Sequence, residues 1–196
     1  QFPTEKMVHG FQYNSRVKLH YEYEVEKGAD ILTKLGIVDG GSARDDLPAE
    51  INLGLSHQCT PALRTEIGGS IYFNKGANIG GTTLREGLEE NIDNSWEIGL
   101  GLEYAFSPAL KASAGYLYSS MGVDPQYSSK FLPDLDAHTL GAGAAWSVLP
   151  QLVLNFAVGN VFYVSDSYID TSLGQDIEVK YDKNIPFVAA GVQYSF

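Results

Sequence analysis

One cysteine, two methionines and two tryptophans are all that the sequence holds of those residues, and the first scarcity already removes one architecture. A lone Cys59 closes no intrachain disulfide, so a scaffold stapled by such bridges is excluded. No run of about 18 apolar residues occurs, so no helix of this chain crosses a bilayer; mean hydropathy is -0.11. Cations are also few, 13 Lys and Arg against 24 Asp and Glu, for a net charge of -11. Binding a phosphate backbone needs clustered Lys and Arg, so no nucleic-acid partner is expected. His9, His20, His57 and His138 show neither His-Glu-x-x-His spacing nor a nearby cysteine pair, and no metal or other cofactor is expected. Asp166, Asp170, Asp176 and Asp182 match no calcium-loop spacing. The opening Gln1-Phe2-Pro3-Thr4 lacks a basic region followed by an apolar one, which places any export signal upstream or already removed.

What the chain does have is glycine (21), tyrosine (12) and a hydrophobic share of 44%, a balance that favours turns and aromatic-rich strands. A strand crossing a membrane needs about 9 to 11 residues with every second side chain facing lipid. Eight segments fit: Arg16–Val25, Pro48–Gln58, Leu63–Asn74, Ser95–Phe106, Leu110–Ser120, Ala137–Val148, Leu152–Tyr163 and Ile185–Phe196. The fourth shows the pattern best, with Trp96, Ile98, Leu100, Leu102, Tyr104 and Phe106 alternating with Glu97, Gly99, Gly101, Glu103 and Ala105. Ten Lys, Arg, Asp and Glu residues fall within the segments, and all lie opposite the apolar face. A soluble sandwich puts its charges outside; here the inferred outside is apolar. The expected fold is therefore all-β, an antiparallel transmembrane barrel forming one domain over residues 1–196.

The connections support the same reading, because outer-membrane barrels alternate short periplasmic turns with long external loops. Short turns carrying Pro61, Pro108 and Pro150 alternate with the long polar stretches 26–47, 75–94, 121–136 and 164–184. The last strand then runs inward and ends in the periplasm. Trp96, Tyr116, Tyr118 and Phe162 fall near the outer strand ends, and Tyr104, Phe106, Trp146, Tyr194 and Phe196 near the inner ends, as two aromatic girdles. The expected location is a bacterial outer membrane, crossed many times, with the lipid bilayer and lipopolysaccharide as surroundings.

An eight-stranded barrel is filled by its own side chains. The inward positions of the last four segments are mostly Gly, Ala, Ser, Thr and Asn, which calls for a wider lumen. Met7 to Tyr13 also reads as the tail of a further strand. Gly10-Phe11-Gln12-Tyr13-Asn14-Ser15-Arg16, Leu47-Pro48-Ala49-Glu50-Ile51, Phe131-Leu132-Pro133-Asp134 before Thr139-Leu140-Gly141-Ala142-Gly143, and the closing Gly191-Val192-Gln193-Tyr194-Ser195-Phe196 resemble the FadL-type outer-membrane transporters of long-chain fatty acids and other hydrophobic compounds. The resemblance implies the C-terminal portion of a barrel of about 14 strands, without the family's N-terminal plug and early strands. It implies uptake of fatty acids or similar hydrophobic molecules, no enzymatic activity, and recognition of Phe196 by the barrel assembly machinery. A small structural or adhesive barrel that binds a partner through its loops is the alternative.

Candidate ligand contacts follow from this register. Arg16, Lys18, Arg64 and Lys111 are inward cations able to meet a carboxylate, or else to neutralise lumen glutamates. Thr83-Leu84-Arg85-Glu86 is a capping box opening a short helix with Leu84, Leu88 and Ile92 on one side, a landing surface for an apolar ligand. Residues 29–38 are expected to form a second helix. Ser120 near His138 raises the thought of an outward-facing hydrolase pair, against which stands the abundance of polar side chains at headgroup level.

Overall fold

The computed structural model describes residues 7–34, 37–78, 91–128, 133–171 and 174–195. In chain order the strands are β1 (Met7–Asn14), β2 (His20–Glu22), β3 (Ser42–Arg44), β4 (Ala49–Gln58), β5 (Leu63–Phe73), β6 (Ser95–Ser107), β7 (Leu110–Ser120), β8 (Ala137–Leu149), β9 (Leu152–Tyr163), β10 (Asp166–Asp170), β11 (Ile177–Tyr181) and β12 (Asn184–Tyr194); among the described residues an α-helix, α1 (Ala29–Lys34), stands between β2 and β3 and a 3-10 turn, Pro125–Tyr127, between β7 and β8. Eight of them make a single sheet in the order β1-β4-β5-β6-β7-β8-β9-β12, antiparallel at every step. β1 and β12 are its two edges and do not pair with each other.

The sheet is inside out. Along β6 exposure alternates residue by residue, with Trp96, Ile98, Leu100, Leu102 and Tyr104 exposed and Glu97, Gly99, Gly101 and Glu103 half-buried between them. β8 repeats this around Leu140 and Trp146, and β9 around Phe156, Val158 and Phe162. A soluble protein reverses that assignment, since its apolar strand face drives folding by leaving water. An uncharged, aliphatic and aromatic outer face agrees with a hydrocarbon solvent.

Seven of the eight expected strands lie within a few residues of where alternation puts them. The first does not. Arg16–Val25 does not cross the membrane: Val17 bridges to Leu47, and only His20–Glu22 pairs, with Ser42–Arg44. The wall strand is the preceding Met7–Asn14, paired with β4 from Met7↔His57 to Asn14↔Glu50. The apolar face of 16–25 is therefore part of an external excursion over 15–48, and Arg16, Lys18, Glu22 and Glu24 leave the lumen wall with it. Helix α1 stands within the 29–38 stretch expected to be helical but covers only its first part.

Short inner turns and long outer segments alternate as expected. Thr60 Oγ1 accepts hydrogen bonds from the Ala62 and Leu63 amides, and Ser107 Oγ accepts from those of Ala109 and Leu110. Each hydroxyl satisfies turn donors beside a proline that has none. At the other end the outer segments are tied one to the next. Asp46 N donates to Asn78 O at 2.6 Å, and Arg16 donates to the Gly76 carbonyl at 2.6 Å. Ile92 bridges to Val123, Asp93 N donates to Gly122 O, and Val164 N donates to Asp136 O. Buried Ala77, Ile92 and Leu135 sit within this collar, Tyr181 in the β10–β11 pair and Ala137 at the outer end of β8, so the described core lies at and above the outer rim of the sheet.

Candidate functional site

The register stacks the inward residues into layers, since residues paired across the ladder share a face. The outermost layers are polar. The Asn14 amide donates to Glu50, Asn52 Nδ2 donates to the same Glu50 oxygen at 3.1 Å, and Ser70 Oγ donates to Asn52. Next to them Ser119 Oγ donates to Glu97 Oε1 at 2.7 Å and the Tyr72 hydroxyl to Glu97 Oε2 at 3.5 Å.

The middle is glycine and aliphatic. Gly10, Gly54, Gly68 and Gly99 lie in one pairing row across β1, β4, β5 and β6, and the row continues as Leu117, Thr139, Val161 and Ile185. One step inward, Gly101, Gly115, Gly141 and Gly159 are paired in succession across β6 to β9, and the row ends at Phe187. Phe187 lies over this floor: a Cβ built on Gly159 would run into its ring, and one on Gly141 would come within 3.9 Å of it. Without side chains to fill it, the surface is hollow. One hollow of about 780 Å³ runs over Gly54, Gly68, Gly99 and Gly115 toward Leu117. A second, of about 400 Å³, lies between Phe187 and the pair Arg64 and Glu66. Both fall in the size range of small-molecule sites.

The innermost layer is charged and closed on itself. Arg64 Nη1 lies 3.1 Å from Glu66 and Nη2 3.6 Å from Glu103, and Lys111 Nζ lies 3.4 Å from the other Glu103 oxygen. Two cations and two carboxylates on three neighbouring strands cancel in formal charge.

A family model described as outer membrane protein transport protein (OMPP1/FadL/TodX) matches residues 2–196. The chain belongs to this family. Among solved structures it is similar to a FadL homologue of Pseudomonas aeruginosa, at 21% identity and a TM-score of 0.69, over 98% of this chain and 50% of that one. It is likewise similar to the P. putida toluene transporter TodX, at 15% identity, TM-score 0.57, over 98% and 46%. The Ralstonia pickettii toluene transporter TbuX matches at 16% identity, TM-score 0.54, over 98% and 45%. No curated protein sequence matches it. At these identities the structures show the fold, and the chain spans about half the length of each. As a FadL/TodX-family chain it is part of a bacterial outer-membrane β-barrel, as the inside-out sheet requires.

Within this FadL/TodX segment, Arg64 and Lys111 meet in one cluster on the lumen wall, through Glu103. Lys18 does not join them; it is exposed in the external excursion. Leu84, Leu88 and the capping box at 83–86 lie outside the described residues, as does Phe196. His138 Nδ1 is taken by the Tyr116 hydroxyl at 2.7 Å, so no Ser120–His138 couple forms through that nitrogen. Sequence reasoning missed Phe187 as a lumen residue. The available signal was its place opposite Val188, Ala190 and Val192, with a glycine as its cross-strand partner.

Proposed function

We infer that this chain forms the wall of an uptake pathway for hydrophobic small molecules, long-chain fatty acids or neutral compounds such as aromatic hydrocarbons. One observation carries the reading: an apolar, glycine-floored band, overlooked by Leu117, Val161, Ile185 and Phe187, runs between a polar outer layer and a charged inner one. An apolar molecule gains by leaving water for such a band. A carboxylate would have to compete with Glu66 and Glu103 for Arg64 and Lys111, so it would meet these cations only as a ligand exchange. Nothing in this mode of action calls for catalysis. Lipopolysaccharide around the wall and the assembly machinery acting on Phe196 complete the proposed setting, and Leu84 and Leu88 supply the external capture surface.

The test is uptake by cells that lack their own fatty-acid porin and express the full-length protein. Labelled long-chain fatty acid or toluene is expected to enter faster than in the parent cells. Changing Leu117 and Phe187 together to Asp is expected to abolish that gain while the protein still reaches the outer membrane. Uptake that ignores the full-length protein refutes the proposal.

A further inference from the structure

On the outward face, at the outer ends of β6, β7 and β8, four rings meet. Trp96 and Tyr118 have centroids 5.2 Å apart, Tyr118 and His138 4.9 Å, and Tyr116 and His138 6.0 Å with planes inclined at 26°. The rings are held by polar contacts. The Tyr118 hydroxyl donates to Asp136 Oδ2 at 2.9 Å, Met121 N donates to Asp136 Oδ1 at 2.8 Å, and Tyr116 Oη lies 2.7 Å from His138 Nδ1. His138 Nε2 is left to face a ligand hydroxyl, as a donor when Nδ1 accepts from Tyr116 and as an acceptor when Nδ1 donates to it.

Position and charge decide what such a platform meets. Its strands have sheet neighbours on both sides, so it does not sit at a seam of the wall. On the same face Ile98 shares the row of Tyr118 and His138, Leu100 and Leu140 share that of Tyr116, and Leu102, Ala114 and Ala142 lie one row further in, the hydrocarbon-facing surface; beyond Trp96 and His138 begin the polar external segments. Trp96, Tyr118 and His138 thus stand at headgroup level, and Tyr116, one row deeper, reaches up to His138 through its hydroxyl. None of its members is Lys or Arg. Beside it lies a hollow of about 380 Å³ lined by Asp93, Asp124, Asp134, Asp136 and Asp166, a surrounding that repels phosphate. A sugar ring suits it better, with an apolar face to stack on Trp96 and Tyr118 and hydroxyls for His138 Nε2 and the Asp136 carboxylate.

We propose that the Trp96–Tyr118–His138–Tyr116 platform is a binding site for the uncharged sugar headgroup of a glycolipid in the outer leaflet. It anchors the wall to its lipid surroundings and is independent of the uptake pathway on the opposite face.

The test places the full-length protein in phosphatidylcholine bilayers doped with increasing amounts of a monoglucosyl diacylglycerol or, separately, of phosphatidylglycerol. Tryptophan emission is read as the difference between the protein and its Trp96→Phe variant, which isolates Trp96. The glucosyl lipid is expected to give a saturable change at low mole fraction and phosphatidylglycerol none. Tyr118→Ala is expected to raise the half-saturating fraction about fivefold, the loss of one ring contact. Should that variant fail to fold, His138→Phe, which keeps a ring but no ring nitrogen, is expected to weaken the response in the same direction. An equal response to phosphatidylglycerol overturns the proposal in favour of a phosphate site. No saturable response to either lipid, or an unchanged response in the variants, reduces the platform to a girdle of rings.

Discussion

Leu100 and Gly101 are neighbours in β6 whose side-chain directions are opposed, one toward hydrocarbon and one toward the lumen, and exchanging each for arginine tests the inside-out sheet. Leu100 is 53% exposed, near the middle of a 13-residue strand, and its neighbours on that face, Ile67, Ile98, Leu102 and Tyr116, carry no charge. Arginine there costs about 2 to 4 kcal/mol in a β-barrel wall near the bilayer midplane, which lowers the folding equilibrium roughly 30- to 700-fold. At Gly101 a new Cβ meets the Glu66 Cβ at 3.6 Å and its Oε2 at 3.8 Å, ordinary contact distances. A guanidinium built from that point lies beside a carboxylate in a polar lumen, so the cost there is expected to stay below about 1 kcal/mol, offset by a partly exposed ion pair. The assay is urea titration of the full-length protein in lipid vesicles, with Leu100→Ala as a control for lost side-chain area. Equal penalties for the two arginines, or a larger one at Gly101, would refute the assignment of faces.

Charge reversal at Arg64 or Lys111 should slow fatty-acid uptake more than toluene uptake, measured in the same expressing cells. A double-mutant cycle between Arg64 and Glu103, groups 41% and 31% exposed, should give a coupling of roughly 0.2 to 1 kcal/mol and no more. Gly159→Ala should destabilise the wall by about 1 to 3 kcal/mol in vesicle unfolding. Adding Phe187→Ala should recover only part of that, because the new Cβ would still lie 2.5 Å from the Leu140 carbonyl oxygen. The Arg44 guanidinium, 2.6 Å from Asp46, holds that carboxyl below its ordinary value of 3.8, helped by the Asn78 amide and opposed by burial. A depressed carboxylate stabilises the fold above its unfolded value and ceases to as pH falls through the folded one. The tie between segments 15–48 and 74–94 should thus hold at pH 5 and loosen only below about 4, read as hydrogen exchange at Asp46 and Asn78. Asp46→Asn should loosen it already at pH 7.

Much of the wall was legible because a membrane strand has to repeat one simple pattern, and a single charge on the wrong face breaks it. Glu97 and Glu103 sit six residues apart on one strand and face the same way, so their register followed from period two alone. Segment 16–25 shows the limit of that rule. Its alternation is flawless, yet it records only that one face is apolar and is silent on whether lipid or a loop covers it; Tyr21 faces Ala43 in a small external hairpin. The true wall strand, β1, alternates less cleanly, with His9 among its lipid-side positions, and β4 selects it across 34 intervening residues of chain. The site divides in the same way. Arg64 and Lys111 could be placed on the lumen face from register, whereas their meeting at Glu103 and the lie of Phe187 over Gly159 depend on which strands pair, and no local pattern encodes that.

The collar above the sheet has a bearing on where this protein can vary. Its ties run in series, 15–48 to 74–94, then to 121–136, then to 164–183. Lengthening 121–136 would disturb both neighbours at once, because Gly122 and Asp136 are bound on opposite sides. The β10–β11 hairpin is different: beyond Asp170 its described backbone bonds close within its own turn, as from Gly174 N to Thr171 O. Residues can therefore be inserted, labelled or exchanged next to Gly174 without loosening the described ties at the mouth of the barrel.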